Sequence, residues 1–466
     1  MDSSKEEDYR KRIRVLMFPW LAHGHISPFL ELAKRLSSKN FYIYFCSTPI
    51  NLSSIEHQLI DRDRNQTRSI EIVELSLPSL PNFPPHYHTT KSLPHHLMST
   101  LKKALDLSSP SFNNLLCTIQ PDILIYDFIQ PWAPTQASHL NIPAIQLLTT
   151  GAAFTSFFAH LVKKHPDTKF PFPSIFLYDH EERKVTKESS FSDDSEDRER
   201  VFQCIDRSTD IVLINTFKEI EEKYLDYLSS TIGKELVPVG PLLQNPTNST
   251  GCDHEQENKY RELLVNKENS SVVFVSFGTE YFMSKAEIQE VAYGLELSEV
   301  NFIWVIRFPG DHKERDGIGQ ALPKGFMERI AEKGLVVENW APQEKLLGSG
   351  KIGGFVSHCG WNSVLESMKY GVPIIAMPLH LDQPINARLV VEIGLGVEVK
   401  RDADGKLDRR EIGEVIRKVV MGKEGQEVQG KAKEMSHKMR CKGDEDIDVL
   451  AEKLRLCNKE RIPKQQ

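Results

Sequence analysis

The chain predicts an α/β protein built from two doubly wound domains that face each other across a cleft, and three features of the sequence carry that prediction. Its 466 residues exceed what a single hydrophobic core ordinarily organises. Short apolar, β-branched runs alternate with helix-length amphipathic stretches almost from end to end, the pattern of parallel strands covered on both faces. A polar interruption rich in Pro, Gly and Asn divides that pattern into two successive sets.

In order along the chain, the first set of strand candidates is Arg14–Phe18, Tyr42–Cys46, Ile70–Leu75, Ile123–Tyr126, Ala144–Leu148 and Ile211–Asn215. The second is Val272–Phe277, Phe302–Ile306, Leu335–Glu338, Gly354–Ser357, Pro373–Met377 and Val397–Val399. Helical candidates between them include Pro28–Ser37, Lys285–Leu297, Trp361–Tyr370 and Arg409–Val420. Ser27 reads as the cap of the first helix, with Pro28 at its first position. Val237–Leu243 closes an apolar segment, and Gln244–Glu257 reads as a solvated linker. The domains are therefore set at 1–243 and 258–443, joined by 244–257, with a last helical stretch and tail at 444–466. Asp179–Arg200, rich in charge and serine, reads as a mobile surface insertion. Domains of this kind take ligands at the carboxyl ends of their strands.

Composition narrows the function. The 58 basic and 65 acidic residues leave a net charge of −7, which suits a small-molecule enzyme and argues against a nucleic-acid surface. Seven scattered cysteines form no C-x-x-C pair, as expected of free thiols in a reducing compartment. Met1–Arg14 has no apolar core, and no apolar run approaches the ~20 residues that cross a bilayer. The expectation is a cytoplasmic protein without a membrane span, whose N-x-S/T sequons at Asn51, Asn65, Asn248 and Asn269 stay unmodified. No heptad or apolar stripe demands an obligate protein partner.

Several patterns mislead. Gly348-x-Gly350-x-x-Gly353 precedes a strand instead of following one, so it is not a dinucleotide fingerprint. The D-x-D pairs Asp61/Asp63, Asp402/Asp404, Asp444/Asp446 and Asp446/Asp448 sit in charged stretches and read as solvated surface. His86, His88, His95 and His96 lie in a proline-rich loop without a completing ligand, and no metal site is expected.

The informative stretch runs from Trp340 to Gln383. His358-Cys359-Gly360-Trp361-Asn362-Ser363 lies where a strand hands over to a helix. There, free backbone N–H groups and the positive helix end attract an anion such as a diphosphate. His358, Asn362 and Ser363 add neutral donors, so the anion needs no metal. Glu366, one turn further, offers a carboxylate to two ribose hydroxyls. Trp340 offers a flat stacking face with Gln343 beside it. Taken singly, each residue fits an ordinary βαβ unit as well.

Together they resemble, residue for residue at the diagnostic positions, the signature box of the plant family 1 UDP-glycosyltransferases, and the likeness extends over the chain. The resemblance implies the GT-B fold of two Rossmann-like domains. It implies that Trp340 stacks on uracil, Gln343 contacts the nucleoside, Glu366 clamps the ribose, and His358, Asn362 and Ser363 bind the diphosphate. Asp382 and Gln383 would hold sugar hydroxyls, a terminal Gln marking glucose donors, while Trp361 in place of arginine argues against glucuronate. Ser276 and Thr279, in Val275–Thr279, resemble the family's serine–glycine loop and add donor contacts.

The catalytic pair belongs to the other domain. A histidine between the first strand and first helix has a reference pKa of about 6.5, suited to deprotonating a hydroxyl near neutrality. On residues alone it equally fits a capping or packing role. In the family the histidine directly after this glycine is the general base, which is His25 here, with His23 a decoy. Asp127 ends the strand Ile123–Tyr126 and matches the aspartate that orients that base, whereas Asp122 precedes the strand.

The implied reaction is a single inverting displacement from UDP-glucose, a co-substrate, with no cofactor. The segment Leu80–Lys91 and the opening Met17–Trp20 are similar to the branch-forming subgroup, which extends the sugar of a flavonoid or terpenoid glycoside. Trp20, Phe128, Trp132 and Phe154 are candidates for the acceptor pocket. The alternatives are direct glucosylation of an aglycone hydroxyl or carboxyl, a non-catalytic nucleotide-sugar-binding protein, and a nucleotide-sugar epimerase.

Overall fold

The computed structural model describes residues 12–60, 69–91, 93–165, 167–187, 195–244, 254–279, 281–308, 317–338, 340–442 and 444–461. The first eleven residues, the Asp61/Asp63 pair, the sequons at Asn65 and Asn248 and most of the 244–257 linker lie outside them.

Strands β1 (Ile13–Phe18), β2 (Phe41–Ser47), β3 (Ile70–Glu74), β4 (Ile123–Tyr126), β5 (Ala144–Leu148), β6 (Ile211–Ile214) and β7 (Glu235–Pro238) form one parallel sheet, in the order β3-β2-β1-β4-β5-β6-β7. Strands β8 (Val272–Ser276), β9 (Asn301–Ile306), β10 (Gly334–Glu338), β11 (Ile352–Ser357), β12 (Ile374–Ala376) and β13 (Gly396–Glu398) form a second, ordered β10-β9-β8-β11-β12-β13. Each sheet reverses its winding once, between β1 and β4 and between β8 and β11, which is where such sheets take ligands.

The continuous apolar runs serve two cores at once, because successive side chains leave opposite faces of a strand. On β1, Val15 and Met17 enter one buried cluster with Phe29, Leu32 and Phe41. Leu16 and Phe18 enter another with Leu101, Phe112 and Leu116. On β8, Val273 and Val275 pack with Ile288, Ile412 and Val419, while Val272 and Phe274 pack with Tyr260, Leu346 and Phe355.

The chain falls into two compact units that are not simple halves of the sequence. The first comprises Met1–Thr168, Asp194–Gln244 and Asp444–Gln466, and the second Lys169–Asp193 and Asn245–Gly443. Ile447, Leu450, Ala451 and Leu454 of the Glu445–Arg461 helix are buried in the core of the first unit. Lys453 pairs there with Glu235, and Arg455 donates to the carbonyl of Lys39.

Three expectations are corrected. The first helix runs His23–Ser38, with Ala22 as its cap and Pro28 inside it. Ser27 is therefore not a cap, and His25 stands in the first helical turn, where the Ala22 carbonyl accepts from the N–H groups of His25 and Ile26. The stretch expected to be a mobile insertion carries the helices Asp179–Lys187 and Ser195–Arg207 and buries Glu181, so its charges are partly structural. Residues 169–193, which include its first part, group with the second unit, whereas the sequence reading keeps them in the first. The sequence reading has no counterpart for β7. It is an edge strand that opens on a glutamate and closes on a proline, so it lacks an apolar run of its own.

Candidate active site

In the first unit, the site is built from the carboxyl ends of three neighbouring strands. His25 follows β1, Asp127 directly follows β4, and Thr149 directly follows β5. His25 Nδ1 lies 2.8 Å from Asp127 Oδ2 and 2.9 Å from Thr149 Oγ1. Asp127 is fully buried, and its other bonds fix its direction. Oδ2 accepts from the backbone N–H of Trp20 at 2.9 Å, and Oδ1 from that of Phe128 at 2.8 Å. A carboxylate only accepts, so Nδ1 carries the ring proton and Nε2 keeps its lone pair. The Phe128 ring stacks on the imidazole, centroids 5.0 Å apart. His23, two residues earlier, is exposed.

The Thr149–Gly151 turn is held from a distance. Both carboxylate oxygens of Glu221, itself fully buried, accept from the N–H groups of Ala152 and Ala153, at 2.8 and 2.7 Å. They cap the helix Ala152–Lys163, whose own cap residue is Gly151. Thr216 donates to the same carboxylate. Burial pushes the Glu221 carboxyl above its usual range, and these three donors pull it back.

In the second unit, Ser276 ends β8 and Thr279 follows it, Trp340 follows β10, His358 follows β11, and Asp382 and Gln383 follow β12. The helix Trp361–Tyr370 carries Asn362, Ser363 and Glu366. Trp340 is 48% exposed, so its indole face is open, whereas Trp361 is buried. Gln343 donates to Glu366 at 2.6 Å and to Ser363 at 3.1 Å. Burial pushes the Glu366 carboxyl up to about 7 against that bond. Burial and the neighbouring His380 push His358 down to about 4, against an opposing contact with the Ser276 backbone, so its ring is neutral at physiological pH.

His358 is wedged between two glycines. A β-carbon on Gly278 or on Gly360 would come within 2.6 Å of His358 Nε2. Gly278 also holds a φ of 76°, which disfavours any side chain. Cys359 adopts a φ of 65°, and Asn386 donates to its carbonyl at 3.0 Å and to Asp382 Oδ2 at 2.8 Å. The Gln383 side-chain oxygen accepts from the N–H groups of Leu379 and His380, both at 3.1 Å. That leaves the amide NH₂ as the group Gln383 can offer to a ligand.

A family model described as glycosyltransferase, N-terminal domain, matches residues 11–244, and one described as UDP-glucoronosyl and UDP-glucosyl transferase matches residues 198–427. The chain belongs to the UDP-glycosyltransferases. A mogroside IIIx synthase of Siraitia grosvenorii is 50% identical over 95% of this chain and 97% of its own. A β-D-glucosyl crocetin β-1,6-glucosyltransferase of Gardenia jasminoides is 47% identical over 94% and 97%. Among solved structures, an apo glycosyltransferase of Phytolacca americana superposes with a TM-score of 0.75 at 26% identity, covering 96% of this chain and 99% of that one. This UDP-glycosyltransferase accordingly has the GT-B fold.

The aromatic residues expected around an acceptor separate. Trp20 is 5% exposed and its ring lies in the core, so it serves the dyad through its backbone N–H. Trp132 packs against Phe18 and Phe112 and donates its indole N–H to Asp106 at 2.9 Å. Phe128 lies against His25, and Phe154 stacks on Phe158. Thr149, Glu221 and Asn386 escaped the sequence reading, since a threonine, a glutamate and an asparagine outside any motif give no signal until the fold brings them in. Among the described residues, no group of His, Cys, Asp and Glu is arranged to hold a metal ion. No helix among them is long and apolar enough to cross a membrane.

Proposed function

We propose that the enzyme transfers glucose from UDP-glucose, with inversion, onto a hydroxyl of the sugar of a terpenoid or flavonoid glycoside. The observation that carries the chemistry is the hydrogen bond from His25 Nδ1 to the buried Asp127, because it directs the ring's lone pair to Nε2. His25 removes the acceptor hydroxyl's proton as that oxygen attacks the anomeric carbon, and the bond to UDP breaks with its electron pair on the diphosphate. The imidazolium so formed remains paired with Asp127, and an α-linked donor yields a β-linked product.

For the donor, Trp340 offers its face to uracil, Gln343 contacts the nucleoside, and Glu366 takes the ribose hydroxyls. His358, Asn362, Ser363 and the start of the helix Trp361–Tyr370 receive the diphosphate, with Ser276 and Thr279 adding contacts. Among the described residues, the buried Nδ1 of His358 has no hydrogen-bond partner, which leaves it for the ligand. These neutral and helix-terminal donors stabilise the leaving charge, so the reading includes no metal and no cofactor. Asp382 and the amide NH₂ of Gln383 hold the sugar. The glucose assignment draws on Gln383 and on relatives named as glucosyltransferases. The sugar-on-sugar assignment draws on the relative named for β-D-glucosyl crocetin and on Leu80–Lys91. We place the reaction in the cytoplasm, without an obligate protein partner.

The test is incubation with UDP-glucose and a panel of terpenoid and flavonoid aglycones with their monoglucosides, read by mass spectrometry beside His25→Ala. A hexose added to monoglucosides, and absent in the variant, supports the proposal. Addition to aglycones alone overturns the acceptor class, and transfer only from UDP-glucuronate or another UDP-sugar overturns the donor.

A further inference from the structure

The start of the Asp179–Lys187 helix and the segment leading into it make an unexpected set of contacts within the second unit, several of which converge on one arginine. Arg388 lies in the helix Gln383–Glu392, whose first residue is Gln383. It is 4% exposed. Its Nη2 donates to Glu181 Oε2 at 2.7 Å, and its Nη1 lies 2.6 Å from Glu398 Oε2. The guanidinium also lies over the ring of Tyr178, 4.3 Å from its centroid, and 5.1 Å from that of Phe176. Glu181 Oε2 is itself aimed by the Tyr178 N–H at 2.9 Å.

Neighbouring contacts extend the same attachment. His180, which is buried, packs against Gly405, and Arg183 donates to the Ala403 carbonyl at 3.0 Å. Arg401 bridges that turn to the loop before Asp382, donating to the Gly405 carbonyl at 2.9 Å and to the Pro378 carbonyl at 3.2 Å. Leu381 in that loop adopts a φ of 57°, a conformation a leucine keeps only where its surroundings enforce it. An arginine buried between two carboxylates and two rings is held in direction as well as in place, since its planar fork is both stacked and bonded.

We propose that Phe176, Tyr178 and Glu181 form a strap that clamps Arg388 and so positions the start of the Gln383–Glu392 helix, making Arg388 a positioning residue for the donor sugar. The proposal rests on the reading of Asp382 and Gln383 as sugar contacts. Arg388 acts through the helix: turning or releasing it moves the Gln383 amide and the Asp382 carboxylate, which Asn386 ties to the His358–Gly360 turn. The nucleotide contacts at Trp340, Gln343 and Glu366 come from other elements and are left in place.

The experiment measures dissociation constants of UDP-glucose and of UDP by isothermal titration calorimetry, and needs no acceptor. It uses the full chain and the variants Arg388→Met, Arg388→Lys, Glu181→Gln and Gln383→Ala. Misplacing one sugar hydrogen bond should weaken UDP-glucose about fivefold in Arg388→Met, with UDP held within about twofold. Glu181→Gln, which keeps the shape and is the gentler change, should move the same way by a smaller factor. Arg388→Lys should recover part of the loss. If the Arg388 and Glu181 variants weaken both ligands alike, or neither, the clamp is merely structural and the proposal fails. If Gln383→Ala also leaves UDP-glucose unchanged, the sugar reading fails and takes the proposal with it. If only Gln383→Ala acts, that reading stands and the clamp alone is overturned.

Discussion

Asp127 Oδ2 accepts from His25 Nδ1 and from the Trp20 backbone N–H at nearly the same length, 2.8 and 2.9 Å, so one buried oxygen aims the imidazole and anchors the chain leading to it. An amide in its place keeps the shape but lets the ring adopt the other tautomer. Asp127→Asn should therefore lower kcat by about a thousandfold or more. UDP binding, which involves the other unit, should be unchanged. Rapid-quench turnover and UDP calorimetry on the same preparation check the pair, and a variant that loses both has simply misfolded.

The Glu366 carboxyl gives the donor site a pH dependence of its own. Burial holds it up to about 7, and on the proposed reading ribose hydroxyls donate to the ionised form. UDP-glucose, whose diphosphate does not titrate in this range, should lose affinity as pH falls below 7, by up to about tenfold per pH unit. Affinity should level off above pH 8. Stability moves the other way. The folded value lies above the ordinary 4.5, so between the two the native state keeps a proton that the unfolded chain has lost. The carboxyl's contribution is full below 4.5 and is lost as pH rises through about 7. Glu366→Gln should flatten the affinity curve, and an unchanged slope would assign the titration elsewhere.

His358 leaves no room for a methyl group on either side. Gly360→Ala places a β-carbon 2.6 Å from its ring, and Gly278→Ala adds a strained φ to the same collision. Both should weaken UDP by about tenfold or more, Gly278→Ala the more strongly, as the ring shifts off the phosphate position. His358→Ala in the Gly360→Ala background should then cost little further, because the same contact is already lost.

Glu221 is a carboxylate used as a helix cap from about seventy residues away in sequence. Glu221→Ala strands two buried N–H groups and should lower stability by about 3 kcal/mol. Glu221→Gln, which retains one accepting oxygen, should be milder. Urea unfolding measures both. A reduced kcat in Glu221→Gln with intact UDP binding would trace the path from this cap through Thr149 to His25.

The donor box and both sheets were legible in the sequence because their signals are local. Strands buried on two faces read as apolar runs, and His358–Ser363 reads as a strand-to-helix turn whatever surrounds it. What escaped depended on distant partners. The acidic stretch around Glu181 reads as solvated until Arg388 is placed against it. Trp20 reads as a binding residue until the core claims it. At the start of the first helix Ser27-Pro28 imitates a cap, whereas the helix begins five residues before the proline, with Ala22 as its cap residue. In β7 only Leu236 and Val237 are apolar between a glutamate and a proline, too little to stand out as a strand.

The Glu445–Arg461 helix also sets an order of events. The core of the first unit includes Ile447, Leu450, Ala451 and Leu454, which the ribosome adds only after the whole of the second sheet. During synthesis the earlier strands must wait, their apolar stripe uncovered, while the second unit is made and folds. A fragment ending at the linker should therefore be sticky and short-lived, and no single cut yields two finished modules. The His25–Asp127 pair and the turn at His358 come to maturity together, with the closing helix as the last piece.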